Sequence, residues 1–437
     1  MSCSPALSPA PCGPLLAIGS VAEGAVSTMD GLMMSSHIVE NISYFLLGVG
    51  AVGIAFTTAQ VVLSAAFLRY RSIRLNKRAN RNGEQASGET AGRPRVSIIK
   101  PISGIEDGLE TNLTSFANLS GPSYELIISV AEPDDPALPI IERVLPLFAE
   151  GVVRLVIGGA SRMDNPKVER LVAAARHARG DILLISDSNV KVSSDYLATT
   201  ISEFEDPGVG CAVNLFVADE AATLGANLEC LYILTFVLPG TILAALAGVT
   251  CVVGKSMAVS RTVLDEIGGF EAFARVLAED QSIGLAVERA GYRVALCPVV
   301  VHNVVERRSV AGAIKRQVRW GKIRYSFSRL RYTAEFLCNP LPILAAASIL
   351  SVMAGVTVTP APALVIVSAV VARILQAGAM RYMTGARLRA WSLVLVPVQD
   401  CLQAVTQFIP YFSKHVDWRG FRTRLGRDTQ IMEPRHV

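Results

Sequence analysis

Residues 44–68, YFLLGVGAVGIAFTTAQVVLSAAFL, restrict this chain more than any other segment, because they are apolar and carry no charge. At about 1.5 Å of rise per residue, such a helix spans the roughly 30 Å hydrocarbon core of a bilayer. A basic cluster follows at once: Arg69, Arg71, Arg74, Lys77, Arg78 and Arg81. The sequence therefore predicts a transmembrane helix over 44–68, and the positive-inside rule predicts that the next segment is cytoplasmic. A buried core helix is the less favoured alternative.

Composition supports a membrane protein and argues against several other classes. Of the 437 residues, 51% are hydrophobic and only 18% are charged, and the mean hydropathy is +0.41. A net charge of +4, with no basic stretch interleaved with aromatic residues, argues against nucleic-acid binding. The eight cysteines form no CxxC pair, so neither a zinc site nor a disulfide framework is expected. Nothing in the sequence indicates an oligomeric state.

Strands and helices alternate in the soluble region, which we place at residues 95–334. Four apolar runs read as strands: VSIIKPI (96–102), YELIISVAE (124–132), VVRLVIGG (152–159) and DILLISD (181–187). Helical patterns separate them, and this alternation predicts a mostly parallel sheet covered by helices on both faces. Such sheets bind ligands at the carboxyl ends of their strands, where Glu132 and Asp187 stand.

Two segments in the N-terminal part of the chain differ in composition from the rest. Residues 1–43 are rich in small residues, so we expect a disordered segment, with Met29, Met33 or Met34 as alternative starts. Residues 69–94 read as a basic linker.

The apolar C-terminal half predicts further membrane segments. The uncharged stretch 230–254 is broken by proline and glycine and could be a transmembrane helix, a buried core piece or an interfacial segment. An interfacial or re-entrant segment is favoured, because α/β sequence lies on both sides and should share one compartment. Residues 335–412 are predicted to form C-terminal membrane helices. Residues 413–437 are predicted to be a basic cytoplasmic tail. The number of complete crossings stays open.

Two polar clusters follow predicted strands. AEPDDPA (131–137) places carboxylates after the second strand, where they suit either a nucleotide's ribose and base or simply a turn. Asp187 and Asn189 follow the fourth strand, where a carboxylate can bind Mg²⁺ or Mn²⁺ and so neutralise a diphosphate, or can cap a helix.

Two more charged clusters come later. Adjacent Glu279 and Asp280 offer a carboxylate that could accept a proton from an acceptor hydroxyl; the alternative is an exposed acidic helix start. KRQVRWGKIR (315–324) places Arg316 and Arg319 on one helix face, where they could clamp phosphates, or the helix could lie against lipid headgroups.

The order and spacing of these clusters resemble the D, D, D, (Q/R)xxRW pattern of lipid-directed glycosyltransferases with the GT-A fold. Within that group the chain is most similar to ceramide glucosyltransferases, glycosyltransferase family 21, over roughly residues 44–427. The resemblance is carried by VSIIKPISGIEDGLETNL, EPDDPA, NPKVERL, ISDSNVKV, CVVGKSMAVSRTVLDEIGGF, LAEDQSIG and RQVRWGKIR. It implies an α/β, Rossmann-like, mostly parallel catalytic domain between an N-terminal anchor and C-terminal membrane helices.

The resemblance also implies residue roles. Glu132 and Asp134 would lie near the uridine of a UDP-sugar, and Lys167 would approach its diphosphate. Asp187 would bind the divalent metal, Mg²⁺ or Mn²⁺, and Asp280 would be the general base.

The resemblance also implies a role for the arginine–tryptophan motif. Its residues would hold the diphosphate and shape the acceptor site: Arg316, Gln317, Arg319 and Trp320. The chain departs from the pattern at Glu132, where the family has Asp. It also has Asn189 where wider GT-A enzymes carry the last Asp of DxD.

The function implied is transfer of a sugar, with inversion, from a UDP-sugar to the hydroxyl of a membrane lipid. Ceramide is the first acceptor class; a hopanoid lipid receiving an N-acetylglucosamine-type sugar is the alternative, in a bacterial inner membrane. A processive polysaccharide synthase would need more helices for a channel. A non-catalytic membrane scaffold or transporter subunit is the alternative from another class. A transporter would need polar or broken helices at the bilayer midplane, for which Asp400 is the candidate.

Overall fold

A computed structural model of the chain describes residues 47–70, 95–158, 163–353, 360–418 and 421–436, with isolated positions between 38 and 73. Nearly all of the segment predicted to be disordered (1–43) lies outside the described residues. So does most of the predicted basic linker (69–94).

An eight-stranded mixed sheet forms the centre of the soluble region, in the order β3-β2-β1-β4-β7-β6-β8-β5. Strands β3, β2, β1 and β4 run parallel to one another, whereas β7 is antiparallel to both of its neighbours. The α/β class with a mostly parallel sheet is therefore confirmed. The strands are β1 Val96–Ile102, β2 Tyr124–Val130, β3 Val153–Ile157, β4 Ile182–Ser186, β5 Val190–Lys191, β6 Val209–Asp219, β7 Ser256–Ser260 and β8 Arg293–Val304.

Apolar residues on both faces of the central strands explain why they are buried. In β1, Ile98 and Ile102 pack into one core while Ile99 packs into the other. Alternate side chains of a strand point to opposite faces, so a continuous apolar run needs a cover on each side. The soluble helices provide that cover: α2 Leu109–Thr114, α3 Leu138–Val144, α4 Pro166–Ala175, α5 Tyr196–Ile201, α6 Leu224–Tyr232, α7 Leu238–Leu246, α8 Arg261–Glu266, α9 Glu279–Arg289 and α10 Val310–Phe327.

Four helices of the described chain are long and apolar enough to cross a membrane. They are Leu47–Tyr70 (here α1), Leu224–Leu246, Ala363–Thr384 and Ala390–Phe412. A fifth candidate is a pair, Arg329–Cys338 and Pro340–Leu350, bent by 72°. The α-helices that make up the bent pair and the last two spans are α11 Arg329–Ala334, α12 Pro340–Met353, α13 Pro360–Thr384 and α14 Val396–Phe412.

The candidate span Leu224–Leu246 differs from the others in its surroundings. It is 72% buried inside the protein, whereas the N-terminal span is 22% buried. Helices α6 and α7 are joined in it by a π-helical turn, Ile233–Val237, just before Pro239. This helix therefore belongs mainly to the protein core. An interfacial or re-entrant position for residues 230–254 stays a prediction.

Part of the predicted tail forms a three-stranded antiparallel sheet, with β9 His415–Trp418, β10 Phe421–Leu425 and β11 Ile431–His436. Between β10 and β11, Thr429 has a positive φ of 61°. Its carbonyl accepts from Leu277 N at 3.0 Å, and its hydroxyl accepts from Ala278 N at 3.2 Å. The C-terminal sheet thus holds the residues that precede α9.

Candidate active site

Asp187 stands directly after β4, at the carboxyl end of the parallel strands. Lys167 Nζ lies 2.9 Å from one of its carboxylate oxygens, and Lys255 Nζ lies 3.0 Å from the other. Burial by itself raises the pKa of this carboxyl, but the two ammonium groups outweigh burial and hold the pKa well below its usual range. Asp187 is therefore an anion at neutral pH, and its side chain keeps 24% exposure.

Lys167 links the Asp187 region to the start of α9. Its Nζ also lies 2.8 Å from a Glu279 oxygen. Burial lowers the pKa of Lys167, and the neighbouring carboxylates of Asp187, Glu279 and Asp280 more than reverse that effect, so the net shift is upward. The lysine is positioned by the first turn of α4, where Asn165 caps the helix and Pro166 occupies N1.

Asp280 lies in the first turn of α9 and is half-buried. Its two carboxylate oxygens accept from the backbone N–H groups of Gly254 and Gln281. Glycine at position 254 leaves room for this contact, because an added Cβ would lie 2.7 Å from Asp280 Oδ2 and displace the carboxylate. Burial first, and then the charge of Glu279, raise the pKa of Asp280 to about 6. A carboxylate with this pKa can accept a proton near neutral pH.

The loop beside Asp280 is held from the same helix. Gln281 accepts from Val252 N at 2.7 Å and donates to the Thr250 carbonyl at 3.0 Å. The loop then reaches Gly254 and Lys255, so one short segment contacts both Asp280 and Asp187. This segment places the two acidic groups in one site.

The arginine–tryptophan motif lies on α10, and its residues point in different directions. The Arg316 guanidinium lies 3.2 Å from the buried Glu229 carboxylate and 5.1 Å from the centroid of the Trp320 ring. Its charge lowers the pKa of Lys255, on which burial has the largest effect. Arg316 therefore belongs to the Asp187 neighbourhood.

Gln317 and Trp320 face other parts of the protein. Gln317 is buried and donates to Gln399 of α14 at 3.1 Å. Trp320 packs edge-on against Phe216 of β6 at 6.5 Å between ring centroids. Arg319 lies half-buried on the same helix.

Glu132 and Asp134 are exposed in the turn after β2. The neighbouring Asp135, which the sequence reasoning passed over, accepts from Gly104 N at 3.0–3.1 Å and from Ala137 N at 2.8 Å. Asp135 therefore ties the loop after β1 to the loop after β2, and it positions the edge where Glu132 and Asp134 lie.

Two further lysines that the sequence reasoning did not assign complete the cluster. Lys100 is fully buried in β1 and donates to the Asp187 carbonyl at 3.0 Å, and burial lowers its pKa to about 7. Lys255 donates to Asn189 at 2.9 Å as well as to Asp187. A charged residue inside VSIIKPI, a run expected to be buried on both faces, was the signal for Lys100.

A divalent metal fits this site only together with a phosphate ligand. Mg²⁺ is commonly held by one or two carboxylates plus substrate phosphates. Asp187 offers one such carboxylate, and each of its oxygens keeps a lone pair beyond the lysine that it contacts. Among the described residues no group of three or more His, Cys, Asp or Glu side chains could hold a metal by itself.

Several basic groups converge on Asp187. Lys167 and Lys255 contact its carboxylate, Lys100 donates to its carbonyl, and Arg316 lies close enough to act on Lys255. Ammonium and guanidinium groups gathered at the end of the parallel strands suit a polyanion such as a diphosphate. Asp280 lies beside this region, and its charge acts on Lys167. The site combines a basic cluster with a carboxylate that can accept a proton.

The sequence model of Glycosyl transferase family 21 matches residues 56–431 of the chain. Ceramide glucosyltransferase 3 of Caenorhabditis elegans is 27% identical over 71% of this chain and 67% of its own length. Ceramide glucosyltransferase 1 of the same organism is 28% identical over 53% of this chain and 50% of its own length. The chain thus spans between half and two thirds of these two relatives.

Solved structures are similar to this chain at low sequence identity. Mannosyltransferase PcManGT from Pyrobaculum calidifontis, in complex with GDP-Man and Mn²⁺, is 18% identical, with a TM-score of 0.46 over 82% of this chain and 99% of that one. S. aureus TarS 1–349, in complex with UDP, is 13% identical, with a TM-score of 0.35 over 78% of this chain and 99% of that one.

Proposed function

Because the chain belongs to Glycosyl transferase family 21, we propose that it moves a hexose, with inversion, from a UDP-sugar to the hydroxyl of a membrane lipid. The acceptor class that we propose is ceramide, by analogy with the curated relatives. The observation that carries the proposal is the placement of Asp280, whose pKa is about 6, beside the lysine-rich region around Asp187.

The donor diphosphate would occupy the cationic region. We assign its contacts to Lys167, Arg316 and Arg319, and the uridine contacts to Glu132 and Asp134. Asp187 would hold the divalent metal with the diphosphate, and the metal would supply neutralisation of charge on the leaving group.

The chemical step follows from the position of Asp280. Its carboxylate takes the proton of the acceptor hydroxyl, and the hydroxyl oxygen forms a bond to the anomeric carbon. The bond between that carbon and the UDP oxygen breaks, and UDP leaves with the electron pair. The lysines and Arg316 stabilise the charge that develops on the diphosphate.

Gln317 and Trp320 act in this proposal by positioning α10. Gln317 donates a hydrogen bond that joins the helix to α14. The Trp320 ring packs against the Arg316 guanidinium. Membrane attachment through the apolar helices would hold the site at the depth where a lipid hydroxyl emerges, on the cytoplasmic side.

The test uses the full chain in membranes with radiolabelled UDP-glucose and, separately, UDP-N-acetylglucosamine. Ceramide and a hopanoid lipid are supplied in parallel, and labelled lipid is extracted. We expect glucose transfer to ceramide in the wild-type protein and transfer about 10²- to 10⁴-fold slower in Asp280→Asn. Transfer only to the hopanoid lipid would replace the acceptor assignment, and the absence of any UDP release would refute the enzymatic proposal.

A further inference from the structure

A basic cavity of about 470 Å³ lies where the C-terminal sheet meets α10 and the end of α14. None of the residues proposed for donor binding or proton transfer lines it. Its cationic lining residues are Lys322, Arg329, Lys414, Arg424 and Arg427. Among the described residues that line it, none is acidic. The cavity therefore gathers positive charge without the carboxylates that would neutralise it.

The carboxylates nearest this lining leave most of the charge uncompensated. Arg427 lies 3.7 Å from Asp428, with both side chains largely exposed. Asp417 acts on Lys322 at longer range and lies 3.8 Å from Arg422. Lys322 itself is held in place, donating to Ser413 Oγ at 3.3 Å and to the His415 carbonyl. Within the part of the chain that the structure describes, neither Lys414 nor Arg424 forms an ion pair.

The position of the cavity indicates a lipid headgroup as the source of the missing anion. Two candidate membrane spans meet at it: the span Ala390–Phe412 ends two residues before Lys414, and the bent pair begins at Arg329. Beside these residues Phe412 is 87% exposed and Leu330 is 81% exposed, as expected for side chains in contact with lipid. Basic pockets at the cytoplasmic ends of membrane helices bind anionic headgroups.

We propose that this cavity binds the phosphate of an anionic membrane phospholipid through Lys414, Arg424 and Arg427. Arginine guanidinium groups bind phosphate oxygens bidentately, and the cavity is large enough for a headgroup. The acyl chains would lie along α14 and the bent pair. This proposal is independent of the proposed sugar transfer, since it concerns a separate cavity.

The bound phosphate would also steady the active-site edge. Gly426 and Arg427 line the cavity, and two residues later Thr429 bonds to Leu277 N and Ala278 N, just before Asp280. Lipid binding therefore favours the arrangement in which the C-terminal sheet holds this segment. We expect slower amide hydrogen exchange at Leu277 and Ala278 when the lipid is added.

The test measures binding of dioctanoyl-phosphatidylglycerol to the full chain in neutral detergent by native mass spectrometry. The variant Lys414→Gln/Arg424→Gln should bind about 25-fold more weakly, at about fivefold for each charge removed. The control Arg176→Gln/Arg289→Gln removes two exposed arginines outside the cavity and should bind as the wild type does. The charge-keeping variant Lys414→Arg/Arg424→Lys should retain binding even if the glutamine variant proves unstable.

Several results would overturn the inference. Equal binding of dioctanoyl-phosphatidylcholine, in which choline cancels the phosphate charge, would show that the net negative charge of the headgroup is not recognised. Full competition by millimolar inorganic phosphate would identify a free-phosphate site, and full competition by UDP would assign the cavity to the donor. Wild-type affinity in the glutamine variant would remove the cavity from the explanation. Unchanged exchange at Leu277 and Ala278 with lipid bound would refute the link to the active-site edge.

Discussion

Two charge clusters of this protein differ in how completely the protein encloses them. Around Asp187 two lysines contact one carboxylate, which keeps 24% exposure. Between α13 and α14, Arg373 and Asp400 form a bidentate pair at 2.7–2.8 Å, and both side chains are fully buried. The first cluster stays open to a ligand, whereas the second is closed within the protein.

The second cluster also shows how membrane helices satisfy their polar groups. Pro239 has no N–H to give to the Thr235 carbonyl four residues earlier, and Arg373 donates to that carbonyl at 3.3 Å. Gln376 of the same helix donates to Gln60 of α1 at 2.9 Å. Asp400, the sequence-based candidate for a transport site, is thus fully used in holding helices together. A completed polar cluster indicates a structural role, and an incomplete one indicates a ligand.

The largest expected effect is a loss of turnover when Asp280, beside the Asp187 cluster, can no longer accept a proton. Asp280→Asn keeps the shape of the side chain but removes the proton acceptor, so turnover should fall by about 10²- to 10⁴-fold. UDP binding, measured by calorimetry, should be preserved because the lysines around Asp187 remain. Asp265→Asn, an exposed change on α8, serves as the matched control. Turnover within tenfold of the wild type would remove Asp280 from the role of general base.

The second prediction concerns stability. Asp400→Asn leaves the Arg373 charge buried without its partner, and breaking such a pair costs about 3–5 kcal/mol in the free energy of unfolding. We expect a large drop in thermal stability in detergent, with turnover per folded molecule close to wild type. The double variant Arg373→Met/Asp400→Leu should recover stability, since it removes both charges. A stable Asp400→Asn protein with impaired turnover would contradict a purely structural role.

The third prediction tests whether the Asp187 cluster is incomplete. Lys167 and Lys255 each contact one oxygen of Asp187, and their charges oppose a metal ion until a diphosphate is bound. UDP should therefore tighten Mn²⁺ binding, measured by electron paramagnetic resonance, by about 5- to 150-fold, the usual range of coupling between sites. Asp187→Asn should abolish this increase. Tight Mn²⁺ binding without UDP would show that the protein already provides a complete metal site.

The smallest effect is a shift in pH dependence. Below its pKa of about 6 Asp280 is protonated and cannot accept a proton, so kcat/KM should fall as the pH decreases through about 6. The charge of Lys167 lowers this pKa, so Lys167→Gln should raise it and move the fall in activity to higher pH. Arg176→Gln, an exposed change on α4's C-terminal side, is the control. An unmoved profile in Lys167→Gln would separate Lys167 from the proton acceptor.

Sequence reasoning predicted the fold class and the family, and both are confirmed. It also chose Asp187, Lys167 and Asp280, which the structure brings together, although their roles stay predictions. It missed Lys100, because a lysine within a strand is normally found on a sheet surface, whereas this one lies under Asp187 with its Nζ 3.9 Å from the centroid of the Phe116 ring. It missed Thr429, because nothing local ties a residue near the C-terminus to Ala278.

The amino-acid sequence by itself determined the alternation of strands and helices, the apolar helices and the spacing of the charged motifs. These depend on periodicity and on neighbours along the chain, which a linear pattern records. Only the tertiary structure decided which charged residues form ion pairs. Lys255 pairs with Asp187, Arg316 with Glu229, and Arg373 with Asp400. Those pairings join residues far apart in the chain, and burial makes their energies depend on geometry that no local pattern encodes.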